Sequence, residues 1–284
     1  MTAGTMLIVL AGAFVAAGLG SALGMAGGIF LVPLLTIVTR MPFESAVAVG
    51  LVSVVACSCA SSPTLIVQRL TNIRLAIVLG LASALGALVG LSMVGAVPER
   101  VLYGLFAAVL VVSAIQMLQL RRPRPSPMPV AGRPDRAADL RLHSTAPGAD
   151  GVEIPYRVGS LGAGTIAMFG AGTLATLLGI GSGVLKIPAM DMALRLPLKV
   201  SSATANLMIG ITTAGAAVAV LIGGKLDVDI AAAAVVGSVA GSLLGARVLV
   251  WANPAHLRVV FVVVLVLLAI PMTSTAVGTG GVVG

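Results

Sequence analysis

The stretch GIGSGVLKIP, residues 179–188, sets three glycines, a serine and a lysine inside one of the most apolar parts of the chain. Glycine weakens helices, and a charged side chain is costly at membrane depth. A related pattern, GLGSALGMAGGIFLVP, occupies residues 18–33. Where backbone leaves a helix inside a membrane it must line a cavity or be buried in protein, and the next helical piece begins with free N–H groups at its positive end. Gly24, Gly27 and Gly28 in one stretch, and Gly179, Gly181, Ser182 and Gly183 in the other, are therefore candidates for cradling an anion. The plainer alternative is that small residues let helices approach closely.

Lys186 sharpens the first reading. No other basic residue lies so close to either glycine-rich break, and apolar Leu31 stands at the matching place of the earlier stretch. A lysine within a span faces a cavity, a counter-charge or a substrate path; snorkelling to an interface is the alternative. Asp191, five residues on, reads as its partner, as a carrier of the coupling ion, or as an ordinary end-of-helix charge. Thr204 and Asn206 place a hydroxyl and an amide in an apolar run, where they line a path or bond between helices; Ser53 and Ser202 have weaker claims of the same kind. Pro33 and Pro188 read as hinges just inside a second helical piece, where proline is tolerated. Cys57 and Cys59 read as small buried residues, with contact to a sulfur substrate or soft metal as the alternative.

The elements that must hold these residues follow from composition. Of 284 residues, 58% are hydrophobic and 9% charged, with a mean hydropathy of +1.14. Soluble domains carry about 25% charge, so this is a polytopic membrane protein. Apolar runs cover roughly 6–39, 45–67, 75–97, 101–120, 158–194, 200–223, 230–251 and 257–275, each near or above the length that crosses a bilayer. The net charge of +8 does not point to nucleic acid, because seven of the 17 basic residues fall between Arg121 and Arg157, as in a cytoplasmic loop. That segment, 121–157, reads as a Pro/Arg-rich flexible linker, and 276–284 as a flexible tail.

Shifting the first half by 155 residues aligns landmarks without a gap. Gly24 falls on Gly179, Gly28 on Gly183, Pro33 on Pro188, Pro42 on Pro197 and Ala48 on Ala203, and farther on Ser83 falls on Ser238, Gly86 on Gly241 and Gly90 on Gly245. The expected organisation is a first transmembrane repeat at 1–120 and a second at 158–275, as in many secondary transporters. Residues 6–39 would make a helix of about 51 Å, and 158–194 a slightly longer one, too long for one straight span of a core about 30 Å thick. The expected fold is all-α, with about eight transmembrane helices in two homologous halves, each opened by a glycine-broken segment, and both termini on the linker side. In that reading Arg40 and Arg195 share the opposite side. If each broken segment crosses twice instead, the halves become five-plus-five inverted repeats.

The segments 18–54 and 179–212 resemble the paired signatures of the TauE/SafE sulfite-exporter family of integral membrane permeases. Each carries a glycine-rich cluster, an apolar pair, a proline and a second proline nine residues later. Ala26 and Ser182 stand where the family often has glycine, and Val49-Gly50 where it has Thr-Ser. The resemblance implies a multi-pass permease of the cell membrane for small organic or sulfur-containing anions such as sulfite and sulfonates, coupled to an ion gradient. A non-transporting scaffold or sensor and an anion channel are the alternatives, and a homo-oligomer stays open. No cofactor or metal is expected, and no enzyme: His143 and His256 lie outside the apolar runs, leaving Ser182 without a general base and a metal without ligands.

Overall fold

The computed structural model describes residues 3–93, 96–119, 136–147, 153–178, 183–223, 226–251 and scattered positions between 256 and 270. The chain runs α1 (Ala3–Ala22), α2 (Gly28–Val38), α3 (Phe43–Val67), α4 (Ile73–Met93), α5 (Glu99–Gln119), α6 (Arg136–Asp139), β1 (Ser144–Pro147), β2 (Glu153–Tyr156), α7 (Leu161–Leu178), α8 (Gly183–Ala189), a π turn (Met190–Leu194), α9 (Leu198–Ile222) and α10 (Val228–Trp251). Among the described residues, α1, α3, α4, α7, α9 and α10 are long and apolar enough to cross a membrane. The molecule is a mostly helical, multi-pass membrane protein.

Both broken segments fold back on themselves. The side chain of Leu34 on α2 fills the notch at Gly12 of α1, and Gly27 lies against Ala16 and Ala17. At the mouth of the second segment, the amides of Gly159 and Ser160, just before α7, donate to the carbonyls of Leu194 and Ala193 at 2.9 and 3.0 Å. The second arm of each segment therefore returns to the face where the first began. A continuing path across the membrane, on which the eight-span reading relied, is not what the chain takes: the length of an apolar run sets how far it reaches, not whether it turns.

Each first arm packs on a long helix of the other half, α1 on α10 and α7 on α4. In α10, Gly237, Gly241 and Gly245 lie against the carbonyls of Leu10, Phe14 and Gly18 of α1; in α4, Gly86 and Gly90 lie against those of Phe169 and Thr173 of α7. Gly86 and Gly241, Phe14 and Phe169, Gly90 and Gly245, and Gly18 and Thr173 are each separated by the offset of 155. At these close contacts small residues face the partner helix and large ones face outward: α4 turns Ser83 and Gly86 toward α7 while Leu81, Leu85 and Leu88 are about 60% exposed. This is how helices pack when lipid, not water, surrounds them.

The segment read as a flexible linker is in part folded. β1 and β2 form an antiparallel hairpin with Ser144 opposite Tyr156 and Pro147 opposite Glu153. Ala137, Leu142, Ala146 and Tyr156 are buried in the main core. Asn72 fastens this unit to the helices: its Nδ2 donates to the Leu142 carbonyl at 2.8 Å and to the Tyr156 hydroxyl at 3.0 Å, and its Oδ1 caps α4 by accepting from Leu75 N. Burial raises the Tyr156 hydroxyl above the ordinary phenol range, against the lowering effect of its bonds to Asn72 and Ser144, so it stays protonated at neutral pH. Few apolar residues suffice to order the segment because they enter a core that the helices have already built. Residues 121–135 and 276–284 lie outside the described residues.

The close glycine contacts carry a test. A Cβ at Gly86 or Gly241 would overlap a carbonyl oxygen of the partner helix, whereas nothing stands within 4 Å of one at Gly170. Gly86→Ala and Gly241→Ala are expected to lower unfolding free energy by about 1–3 kcal/mol through overpacking, and Gly170→Ala to leave it unchanged or raised, as read by thermal unfolding in detergent.

Candidate functional site

The first break is a left-handed turn. Gly24 has φ +79° and Gly27 φ +73°, which glycine adopts without strain, and Ala26 between them sits at φ 51°. Met25 N reaches back to Gly20 O at 2.6 Å and Gly24 N to Ser21 O at 3.1 Å, satisfying backbone that the end of α1 leaves open. Gly28 then starts α2, buried and with no side-chain cap on its free amides.

The two halves meet here. A Cβ on Gly24 would overlap Ser202 of α9, and one on Gly183 would come within 2.6 Å of Met25 Cα. Each glycine thus admits backbone from the opposite half. Ala17, Ala26, Val54, Cys57 and Ile209 form a small buried cluster around the contact. Gly179, Gly181 and Ser182 lie outside the described residues.

Lys186, the fourth residue of α8, is fully buried. Side chains lean toward the N-terminus of their own helix, so the lysine is carried back toward the break. Its Nζ donates to Thr212 Oγ1 at 2.9 Å. Thr212 is the fifteenth of the 25 residues of α9, about 21 Å along a helix about 37 Å long, near mid-membrane. Among the described residues no ion pair reaches Lys186. Asp191 is half-buried in the π turn; the hydrogen bond of Lys186 goes to Thr212, not to it.

Thr204 and Asn206 are both fully buried and engaged. Thr204 Oγ1 accepts from Asn72 N at 3.1 Å, tying α9 to the α4 cap. Asn206 Nδ2 donates to Ser61 Oγ at 2.6 Å, its carbonyl accepts from Ser58 Oγ at 2.5 Å, and Ser58 Oγ also accepts from Gly210 N at 3.0 Å. This polar ladder joins α3 to α9, which is the interhelical alternative for Asn206. Its Oδ1 is the one side-chain atom of the ladder left without a partner. Cys57 is buried and Cys59 exposed, and both are free thiols, so burial holds for only one of the pair.

Pro33 is the sixth residue of α2, past the free amides of the first turn, so its missing N–H costs the helix a bond to Ile29 O rather than sitting harmlessly at the start. Pro188 occupies the sixth position of α8, two residues before the π turn; such turns are frequent at functional sites. Thr212 escaped the sequence reading because nothing local links it to a lysine 26 residues earlier. Asn72 carried a readable signal, an asparagine just ahead of an apolar run.

The sequence matches the family described as sulfite exporter TauE/SafE over residues 8–272. The chain belongs to the TauE/SafE family. No curated protein and no solved structure matches it. TauE/SafE proteins are sulfite-exporter-type membrane transporters rather than enzymes, so the buried lysine between the halves belongs to a transporter.

The bond from Asn72 to Thr204 joins α4 and α9 without involving Lys186. Thr204→Val is expected to cost about 1–3 kcal/mol of stability, because a buried backbone N–H loses its acceptor, while the apparent affinity for a transported anion stays unchanged. Unfolding and concentration-dependent uptake, measured on the same preparation, check both halves of that statement.

Proposed function

We propose that this TauE/SafE protein is a secondary carrier of small anions, such as sulfite, a sulfonate or a related organic acid, in the cell membrane, and that Lys186 with Thr212 holds the anion's charge. The observation that carries the reading is a fully buried lysine side chain, bonded to a hydroxyl, one helical turn from the contact of two broken helices. Charge at such depth is rare and marks substrate or ion paths. The uncapped start of α2 at Gly28 adds a positive helix end to the same region. Asp191, at the surface side of the same arm, is the candidate for ion coupling.

The halves, 1–120 and 158–275, are proposed to be inverted repeats of five segments each. Three features support this: the returning second arms, the backbone contacts repeated at an offset of 155, and the faces on which the halves begin. Thr204, near the start of α9, is bonded to Asn72 beside the hairpin, and Lys199 Nζ to Val250 O at the end of α10. The turn at Arg195 therefore shares a face with Arg69, Arg74 and the hairpin, whereas Arg40, one span earlier than Arg69, lies on the other. Basic residues concentrated on the hairpin face assign it to the cytoplasm and the N-terminus to the outside. This proposal puts Arg195 on the linker side and the N-terminus opposite it, the reverse of the eight-span reading.

Two outcomes are expected. In a cysteine-free background, Arg40→Cys and Arg195→Cys react with an impermeant thiol reagent from opposite sides of the membrane; reaction from the same side returns the eight-span reading. Lys186→Met inserts normally, since an apolar side chain is cheaper at depth, but binds substrate about tenfold to over a hundredfold more weakly, the loss of a charge-assisted hydrogen bond of about 1.5–3 kcal/mol. Leu31→Met is the control. Accumulation against a gradient in proteoliposomes separates a carrier from a channel, and unchanged affinity in Lys186→Met assigns the lysine a structural role.

A further inference from the structure

Resting on Lys186 as the counter-charge, we propose that the site selects by valence, accepting singly charged anions and rejecting doubly charged ones. Of the 17 lysines and arginines, Lys186 is the one in the interior of an apolar segment. Lys199 sits in the first turn of α9 with its ammonium on the Val250 carbonyl, and Arg247 is exposed near the end of α10. Among the described residues, the elements packed around α8 bring no second cation along their middles: α7 has no titratable residue, α9 has Lys199 in its first turn, α5 has Glu99, Arg100 and Tyr103 confined to its beginning, and the π turn has Asp191.

The first half supplies none either. Offset by 155, Leu31 stands for Lys186, Cys57 for Thr212 and Leu51 for Asn206, each at most 2% exposed. The duplicated framework thus meets the substrate with one polar wall and one apolar wall. A single negative charge is compensated by Lys186. A second is left unpaired in a medium of low dielectric, and its penalty at mid-membrane converts to about a hundredfold in affinity. On this reading sulfite is carried as hydrogensulfite, the form with one charge, while organic sulfonates qualify at any physiological pH.

The test uses the full-length protein in proteoliposomes, with uptake of labelled methanesulfonate as the readout and unlabelled methanesulfonate, methylphosphonate and sulfate as competitors. Methylphosphonate has nearly the shape of methanesulfonate but gains a second charge as pH rises through neutrality. Normalising each competitor to methanesulfonate at the same pH removes any titration of the protein. Methylphosphonate is expected to compete at pH about 6 and to lose potency towards about a hundredfold at pH about 8.5, with sulfate weak at both. Sulfate as potent as methanesulfonate, or a relative methylphosphonate potency that holds or rises with pH, overturns valence selection and leaves the anion site at Lys186 standing. Methanesulfonate uptake that no competitor reduces overturns the proposed function, and valence selection with it.

Discussion

The fold depends on one constraint: backbone that leaves a helix at membrane depth must be covered by protein, because lipid offers it no hydrogen bonds. The first break meets part of that demand locally, through the bonds of Gly24 and Met25 to the last turn of α1. The rest comes from the opposite half. Gly24 lies on Ser202, and Met25 lies on Gly183. Contacts this close exist only where a glycine faces backbone, and they make each half the cover for the other. The exchange of α1 onto α10 and α7 onto α4 follows, since an arm whose tip is buried in the other half lies alongside that half's helices.

Within that framework the placement of Lys186 is intelligible. The two arms meet where α9 and α3 cross, and the polar ladder of Ser58, Ser61 and Asn206 fixes the crossing. Hydrogen bonds between helices at depth contribute modestly in energy, on the order of 0.6 kcal/mol each; their geometric effect is to fix the register of α9. That register sets Thr212 in front of the lysine. Because Lys186 leans toward the start of α8, its amine meets Thr212 in the middle of α9 rather than the turn on which α8 ends.

Much of this was legible in the residues. Glycines at a constant offset marked helix contacts that the structure shows, and the apolar runs located the long helices to within a few residues. The direction of the second arms was not legible, since a run of about 34 apolar residues is compatible with one bent crossing or with a turn back. The hairpin escaped because its strands are four residues each, and charge and proline dominate the segment around them. Of the site, Lys186 announced itself as a lone charge among apolar residues, whereas Thr212 is one of several hydroxyls on α9 and is singled out by distance alone.

The same offset shows how a symmetric scaffold acquires unequal faces. Asn72 and Asp227 occupy matching positions and do the same local work: Asn72 Oδ1 accepts from Leu75 N, and Asp227 Oδ1 accepts from Ile230 N, each capping the helix that follows. A carboxylate has only acceptors, but an amide adds two N–H donors. Those donors let Asn72 hold the Leu142 carbonyl and the Tyr156 hydroxyl, and so seat the hairpin on one face. The backbone N–H of the same residue reaches Thr204, two residues from the Ser202 that covers the first break. The amide side chain at this cap therefore fastens the hairpin to the start of α4, and the backbone N–H of the same residue adds α9 beside one break. Lys186 and Leu31 show the same contrast deeper in the protein: both are buried and 155 residues apart, and only one carries a polar group.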